Sequence, residues 1–195
     1  MSDMDDFEKK DEEIVSLVQS GKIELFGIVI DRYEKKMKRY ASKVLNNHDD
    51  IQDVVQEIFT KAYINIKSVD TKRKFSSWLY RIAHNEIVNV FKKNKKRGFS
   101  PFFNLDVLFP QQGNGNDNNI NKQIEQKEMQ QMIEVCFDQL EEKYREPIAL
   151  YYLEEFSYGE IADIMQIPIS TVGVRIKRGK EAMKSIFKKQ GYDHR

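Results

Sequence analysis

The sequence predicts an all-α protein of two small helical domains joined by a flexible linker. Three observations carry this. Apolar residues recur at three- and four-residue steps in nearly every periodic segment. No stretch shows the alternation of a β-hairpin or the pattern of a βαβ unit. Residues 98–123 break the helical period completely and are rich in Gly, Pro and Asn.

The first helical stripe is Phe26, Ile30, Tyr33, Met37, Tyr40 and Val44. The second is Ile51, Val54, Val55, Ile58, Phe59, Ala62 and Ile66, with Asp49 and Asp50 standing before it as cap candidates. The third is Phe75, Trp78, Leu79, Ile82, Ala83, Ile87, Val90 and Phe91. These stripes suit burial against one another, so a helical domain runs from about Ser20 to Arg97. With an acidic tail over residues 1–13 it makes a first domain of residues 1–97. The linker, 98–123, carries Phe102, Phe103, Leu105, Val107, Leu108 and Phe109. These either pack on a domain or dock into a partner's groove.

Helical order returns at Ile124 and defines a second domain, 124–195. Met129, Met132, Ile133, Cys136, Phe137 and Leu140 form its first stripe. Pro147 is tolerated only in the first turn of a helix, which places a helix start close before it. Ser157 and Glu160, three apart, make a capping box. A short turn, "QIP", then leads into "ISTVGVRIKRGKEAMK".

Bulk composition excludes several classes. A net charge of +1 is neutral on nucleic acid, but its distribution is not. An acidic start, "MSDMDDFEKKDEE", contrasts with the basic runs "KKNKKR" and "VRIKRGK", which suggests separate surfaces for separate partners. The single cysteine, Cys136, forbids an intrachain disulfide framework and fits a small buried hydrophobe. No apolar run would span a bilayer, and the acidic start is the wrong charge for a secretory signal, so a soluble cytoplasmic protein is expected. His48, His84 and His194 are scattered, which argues for no metal, and His84 reads as a surface residue.

Two short helices with a tight turn describe a helix-turn-helix. In the second, Ser170 reads as the N-cap, and Val172, Ile176 and Met183 face inward. Thr171, Val174, Lys177, Arg178 and Glu181 lie opposite, with Gly173 near their edge. A recognition helix presents its N-terminal residues to base edges, while basic residues further along hold phosphates. The competing reading is an ordinary solvated basic face. Each glycine in this helix costs roughly 1 kcal/mol relative to Ala. Gly173 on the DNA side permits close approach to the groove, and Gly179 on the inward side permits close packing.

The first domain has two further polar faces. Asp53, Gln56, Glu57 and Thr60 make an acidic and amide stripe on the second helix. It does not suit DNA, and by residue type alone it is a solvated face. On the third helix Arg81, His84, Asn85, Val88 and Lys92 follow one another, with Ser76, Ser77 and Trp78 near the start. Cationic and amide groups beside aromatics fit single-stranded DNA, which needs phosphate attraction, stacking and a pocket for a flipped base. Trp78 lies on the apolar stripe, which favours a core role.

The stretches "DDIQDVVQEIFTKAY", "KFSSWLYRIAHNEIVNVFKK" and "EKYREPIALYYLEEFSYGEIADIMQIPISTVGVRIKRGKEAM" resemble regions 2 and 4 of the sigma-70 family. More narrowly, the chain resembles the extracytoplasmic-function (ECF) group, which keeps only those two regions. The resemblance runs from about Gly21 to Lys188, with three motifs in the expected order. It implies that Asp53, Gln56 and Glu57 dock on the coiled coil of the polymerase's largest subunit, in place of a merely solvated role. It implies that Ser76, Ser77, Trp78, Arg81 and Asn85 capture the melted −10 strand, with Asn85 at the base pocket. Lys92 and Lys93 would hold that strand and the upstream duplex. Ser170, Thr171, Gly173, Val174, Arg175, Lys177 and Arg178 would read the −35 element. The linker would thread toward the RNA exit path, which favours docking for its aromatics. The implied partners are core RNA polymerase, promoter DNA and an anti-sigma factor, often a membrane-anchored one. No cofactor, small-molecule substrate or enzymatic activity is implied. The chain departs from many relatives at Glu141, where they have Pro, and at Gly173 and Val174, where larger or polar residues are common.

A stand-alone helix-turn-helix regulator of duplex DNA is the alternative. For an initiation factor the linker has to span between the two promoter contacts. Its roughly 25 residues reach about 80 Å at about 3.3 Å each. Free, their ends lie nearer 25–30 Å apart, which leaves room for a closed form that hides both DNA faces.

Overall fold

A computed structural model of the chain describes residues 7–45, 47–96, 136, 137 and 139–189. Among these residues there are helices and turns and no strands. The linker and the first residues of the second-domain stripe lie outside the described residues.

Among the described residues the first domain has four α-helices. They are α1 (Asp11–Gln19), α2 (Phe26–Ala41), α3 (His48–Ile64) and α4 (Phe75–Lys96). Helix α1 takes in residues 11–13 of the expected acidic tail, while residues 1–6 lie outside the described residues. Its acidic residues occupy its first turn, where they favour the positive end of the helix, while Ile14, Val15 and Val18 are buried. Arg32 on α2 donates to Asp11 and to the carbonyls of Phe7 and Lys9. The Glu12 carboxylate accepts from the Phe75 N–H at 2.9 Å, so α1 caps α4 from another element. Gln19 donates to the carbonyls of Ile66 and Val69 and fixes the turn between α3 and α4.

Helix α3 starts two to three residues earlier than the sequence suggests. Its cap is Asn47, whose side chain accepts from the N–H groups of Asp49 and Asp50. Asp49 and Asp50 instead fill the first turn. The predicted stripes are the core: Tyr33, Met37, Tyr40, Ile51, Val54, Ile58, Phe75, Leu79, Ala83 and Ile87 are all buried. Trp78 packs on that core beside Phe75, with ring centroids 5.7 Å apart.

The second domain holds α5 (Glu142–Tyr152), α6 (Tyr158–Met165) and α7 (Ile169–Lys189). Cys136, Phe137 and Leu140 lead into it and are buried. Helix α5 begins five residues before Pro147, so that proline sits inside it. An interior proline removes one helical hydrogen bond and costs about 3 kcal/mol. Pro147 is buried, so tertiary packing has overridden the local preference. The capping box at Ser157 and Glu160 is present in both directions. Gln166 ends α6 in the left-handed region at φ +53° and reverses the chain into α7.

The two domains pack directly on each other. Leu150, Phe156, Ile161, Ile164, Met165, Val172 and Ile176 join the first-domain residues in one apolar cluster. The Phe156 ring meets Tyr80 of α4 edge-on, with centroids 4.8 Å apart.

Candidate nucleic-acid and polymerase surfaces

Helix α3 presents Asp53, Gln56 and Glu57 on one exposed face, opposite its buried stripe. Lys61, one turn on, lies 3.3 Å from Glu57 and 2.7 Å from Glu86 of α4. The hydrogen bond to Glu86 holds the Lys61 ammonium above its ordinary value; burial opposes this, and the bond to Glu57 adds to it. The stripe is thereby tied to α4. Beside it runs a groove of about 540 Å³ between α2 and α3, lined by Phe26, Ile30, Gln56, Phe59 and Tyr63, among others. Sequence periodicity gave no sign of this groove, because two helices must pack before it exists.

Helix α4 turns Arg81, Asn85, Lys92 and Lys93 outward, and all four are exposed. They fall at helical steps on one side and form a continuous basic and amide face. Ser76, Ser77 and Trp78 lie at its beginning and are half-buried. The Ser77 hydroxyl is buried and finds no hydrogen-bond partner among the described residues. His84 does not belong to the outer face. Its side chain is 14% exposed and its Nδ1 lies 2.5 Å from Glu146 of α5. The expectation of a surface histidine is therefore wrong. His84 follows Tyr80 by four residues, so both point at the second domain.

In α7, Val172 and Ile176 are buried at 0% and 1% exposure, while Ser170, Val174, Lys177 and Arg178 are exposed. Thr171, Gly173 and Arg175 are half-buried. Ser170 is not the cap. The helix opens at Ile169, and the Pro168 carbonyl accepts from the N–H groups of Thr171 and Val172. Ser170 then sits in the first turn, its exposed side chain beside Thr171.

The two glycines differ. A Cβ on Gly179 would stand 2.9 Å from Ile148 Cγ1 and 3.2 Å from Tyr144 Cβ, both on α5. No side chain fits there without displacement, so α7 lies against α5 at glycine distance. A Cβ on Gly173 would meet only the Tyr158 ring, at 3.7 Å, which is ordinary contact. Tyr158 is held there by Tyr151, with centroids 5.2 Å apart.

The packing of the two domains leaves both basic faces uncovered. Arg81, Asn85, Lys92 and Lys93 on α4 and Val174, Lys177 and Arg178 on α7 all remain exposed while the domains touch. This corrects the expectation that a closed form hides them.

A helix-turn-helix with a basic outer face, attached to a helical domain with a second basic face, defines a two-domain helical protein of the DNA-binding class. Comparison with known proteins narrows it. The family model of sigma-70 region 2 matches residues 29–97, and that of sigma-70 region 4 matches residues 130–183. The ECF RNA polymerase sigma factor SigW of Bacillus subtilis is 34% identical over 87% of this chain and 92% of its own length. The ECF RNA polymerase sigma-E factor of Escherichia coli K12 is 33% identical over 89% of this chain and 92% of its own. Among solved structures, CnrH in complex with the cytosolic domain of CnrY shares the fold at TM-score 0.64 and 20% identity, over 91% of this chain and 97% of that one. The sigma factor RpoE in complex with the anti-sigma factor NepR, from Bartonella quintana, does so at 0.63 and 21%, over 84% and 96%. The chain belongs to the sigma-70 family, in its ECF group.

Proposed function

We propose that this chain binds core RNA polymerase through α3, holds the melted −10 strand on α4 and reads the −35 duplex with α7. The observation that carries this is the simultaneous exposure of three chemically distinct faces on helices whose other faces are buried. An acidic and amide stripe suits a protein surface. A basic and amide face with an aromatic at its root suits an unpaired strand. The basic face of a recognition helix suits a major groove. The groove beside Gln56 enlarges the protein-binding side and adds apolar area to it.

The roles follow from chemistry. Asn85 reads a base edge with its amide, and Arg81, Lys92 and Lys93 hold phosphates. Val174 and Thr171 offer methyl groups to a thymine methyl, and Lys177 and Arg178 fix the helix on the backbone. The factor performs no covalent chemistry of its own and redirects the polymerase. Two fold neighbours were solved with the cytosolic domain of CnrY and with the anti-sigma factor NepR, and an anti-sigma partner is proposed here too. Among the described residues no helix is long and apolar enough to cross a membrane, which fits action beside the polymerase in the cytoplasm.

Replacing Asp53 and Glu57 by Lys tests the reading. Both side chains are exposed, so the fold survives, and core polymerase no longer co-purifies. Unchanged co-purification would remove the assignment of this face.

A further inference from the structure

The contact between the domains has polar groups at its centre. Glu154, just beyond α5, accepts from Arg39 Nε at 2.9 Å and from Arg39 Nη2 at 2.8 Å, a bidentate pair. It also accepts from the Tyr80 hydroxyl. Its side chain is 5% exposed. Glu146, within α5, accepts from the Tyr40 hydroxyl and lies against His84 Nδ1. A carboxylate only accepts, so that nitrogen carries the proton. Glu146 and Glu154 thus each take one tyrosine and one nitrogen-bearing side chain from the first domain. The rim differs. Lys74 pairs with Glu160 and Arg73 with Asp163, and Arg73, Lys74 and Asp163 are largely exposed.

We propose that Glu146 and Glu154, gripped by Tyr40, His84, Arg39 and Tyr80, are a latch that selects a closed resting state. Its release precedes promoter binding, a step that rests on the sigma reading above. Three observations converge. First, one turn places both contacts: it closes α5 on itself, with the Phe156 N–H donating to the Leu150 carbonyl at 3.0 Å, and turns Glu154 and Phe156 to the first domain. Glu155 takes φ +58°, uncommon for a non-glycine residue, between Glu154 on Arg39 and Phe156 on Tyr80. Second, the latch is polar where a permanent interface would be cheaper as hydrocarbon. A buried ion pair gains little net stability over a hydrocarbon contact, but removing one partner is strongly destabilising, because the other is left buried and uncompensated. Carboxylate, guanidinium and imidazole also return to water without aggregation when the domains part. Third, the closed state is too short for the task. The −10 and −35 elements are about 25 base pairs apart, roughly 80 Å of duplex at 3.4 Å per step. Two directly packed domains of under 100 residues, each with a radius of gyration of about 13 Å or less, do not span that. The faces are ready in the closed state, and their spacing is not.

Tyr80 and His84 stand on the same helix as Arg81 and Asn85. The latch therefore grips the −10 helix from behind, and opening frees that side of α4.

The test is a distance distribution by pulsed electron resonance on the full chain, without polymerase or DNA. Labels go on Lys35→Cys and Lys184→Cys in a Cys136→Ala background. The unaltered latch gives one short, narrow distance. Arg39→Glu, and separately Glu154→Gln, raise the long-distance fraction on the order of tenfold or more. Arg39→Glu combined with Glu154→Arg brings the short distance back. Circular dichroism of each variant confirms retained helix, and Glu154→Gln, which conserves shape, serves if the charge reversal does not fold. A broad long distance with the latch intact, or a short distance that survives both single changes, overturns the latch. Neither outcome touches the sigma reading, which stands or falls on transcription with core polymerase.

Discussion

Helices α4 and α7 both carry a proposed DNA face, yet they are held in different ways. Helix α4 is gripped on two sides. Phe75, Leu79, Ala83 and Ile87 face its own domain, and Tyr80 and His84 face the other. Only the side of Arg81 and Asn85 is free. Helix α7 is gripped mainly by its own domain, through Val172, Ile176 and the bare backbone of Gly179 against α5. The −35 reader is thus a self-contained unit, whereas the setting of the −10 helix depends on where the other domain sits. Changes on α7 should stay local, and changes on α4 should report on the state of the whole molecule.

The largest effect expected is at Gly179. Leu there collides with Ile148 and Tyr144, and such overpacking costs about 1–3 kcal/mol. The melting temperature falls by roughly 5–10 °C, and −35 binding is lost while the first domain still binds core polymerase. Loss of both functions together, in calorimetry and pull-down, would break the idea that α7 is supported locally. Next comes Asn85→Ala. The residue is exposed, so melting is unchanged, but promoter opening drops about tenfold or more if one base-edge contact is removed. Normal permanganate reactivity of the −10 thymines would count against that role.

A smaller effect is expected at Gly173. Alanine has room beside Tyr158 and relieves a helix-interior glycine, so stability holds or rises by up to about 1 kcal/mol. Affinity for −35 duplex nevertheless falls, because the added methyl keeps the helix from the groove. Fluorescence anisotropy showing equal affinity would leave Gly173 without a DNA role. The smallest effect concerns Glu160. Burial alone would raise its carboxyl, but hydrogen bonds from Lys74 and from Ser157 outweigh it and hold it below the usual carboxylate range. The resulting stability is fully present above about pH 4.3 and is lost as pH falls through the lowered value. Glu160→Gln therefore flattens the acid limb of a stability curve by about 1 kcal/mol or less. A steeper acid limb in the variant would contradict the sign.

Much of this was legible in the sequence, for a definite reason. A stripe buried against its own domain leaves a strict helical period, so the cores of α2, α3 and α4 and the inward side of α7 could be named from spacing. The capping box and the closeness demanded by Gly179 were equally local signals. Helix α1 was hidden, because three acidic residues in its first turn look like a solvated tail until Ile14, Val15 and Val18 find a core. Pro147 misled because local preference gives way to packing. The latch was illegible for a deeper reason. Tyr40 already belonged to an apolar stripe, His84 looked like one more polar surface residue, and nothing local pairs them with Glu146, which lies 106 and 62 residues away. Periodicity says which side of a helix is wet or dry, and it does not say which distant element will cover it.

Runoff transcription with core polymerase on a genomic fragment library tests the central claim most directly. The account predicts discrete transcripts that require this chain, from start sites sharing one −10 and one −35 motif. Transcripts indifferent to the chain, alongside a footprint on duplex DNA without polymerase, would contradict it and leave a stand-alone DNA-binding protein.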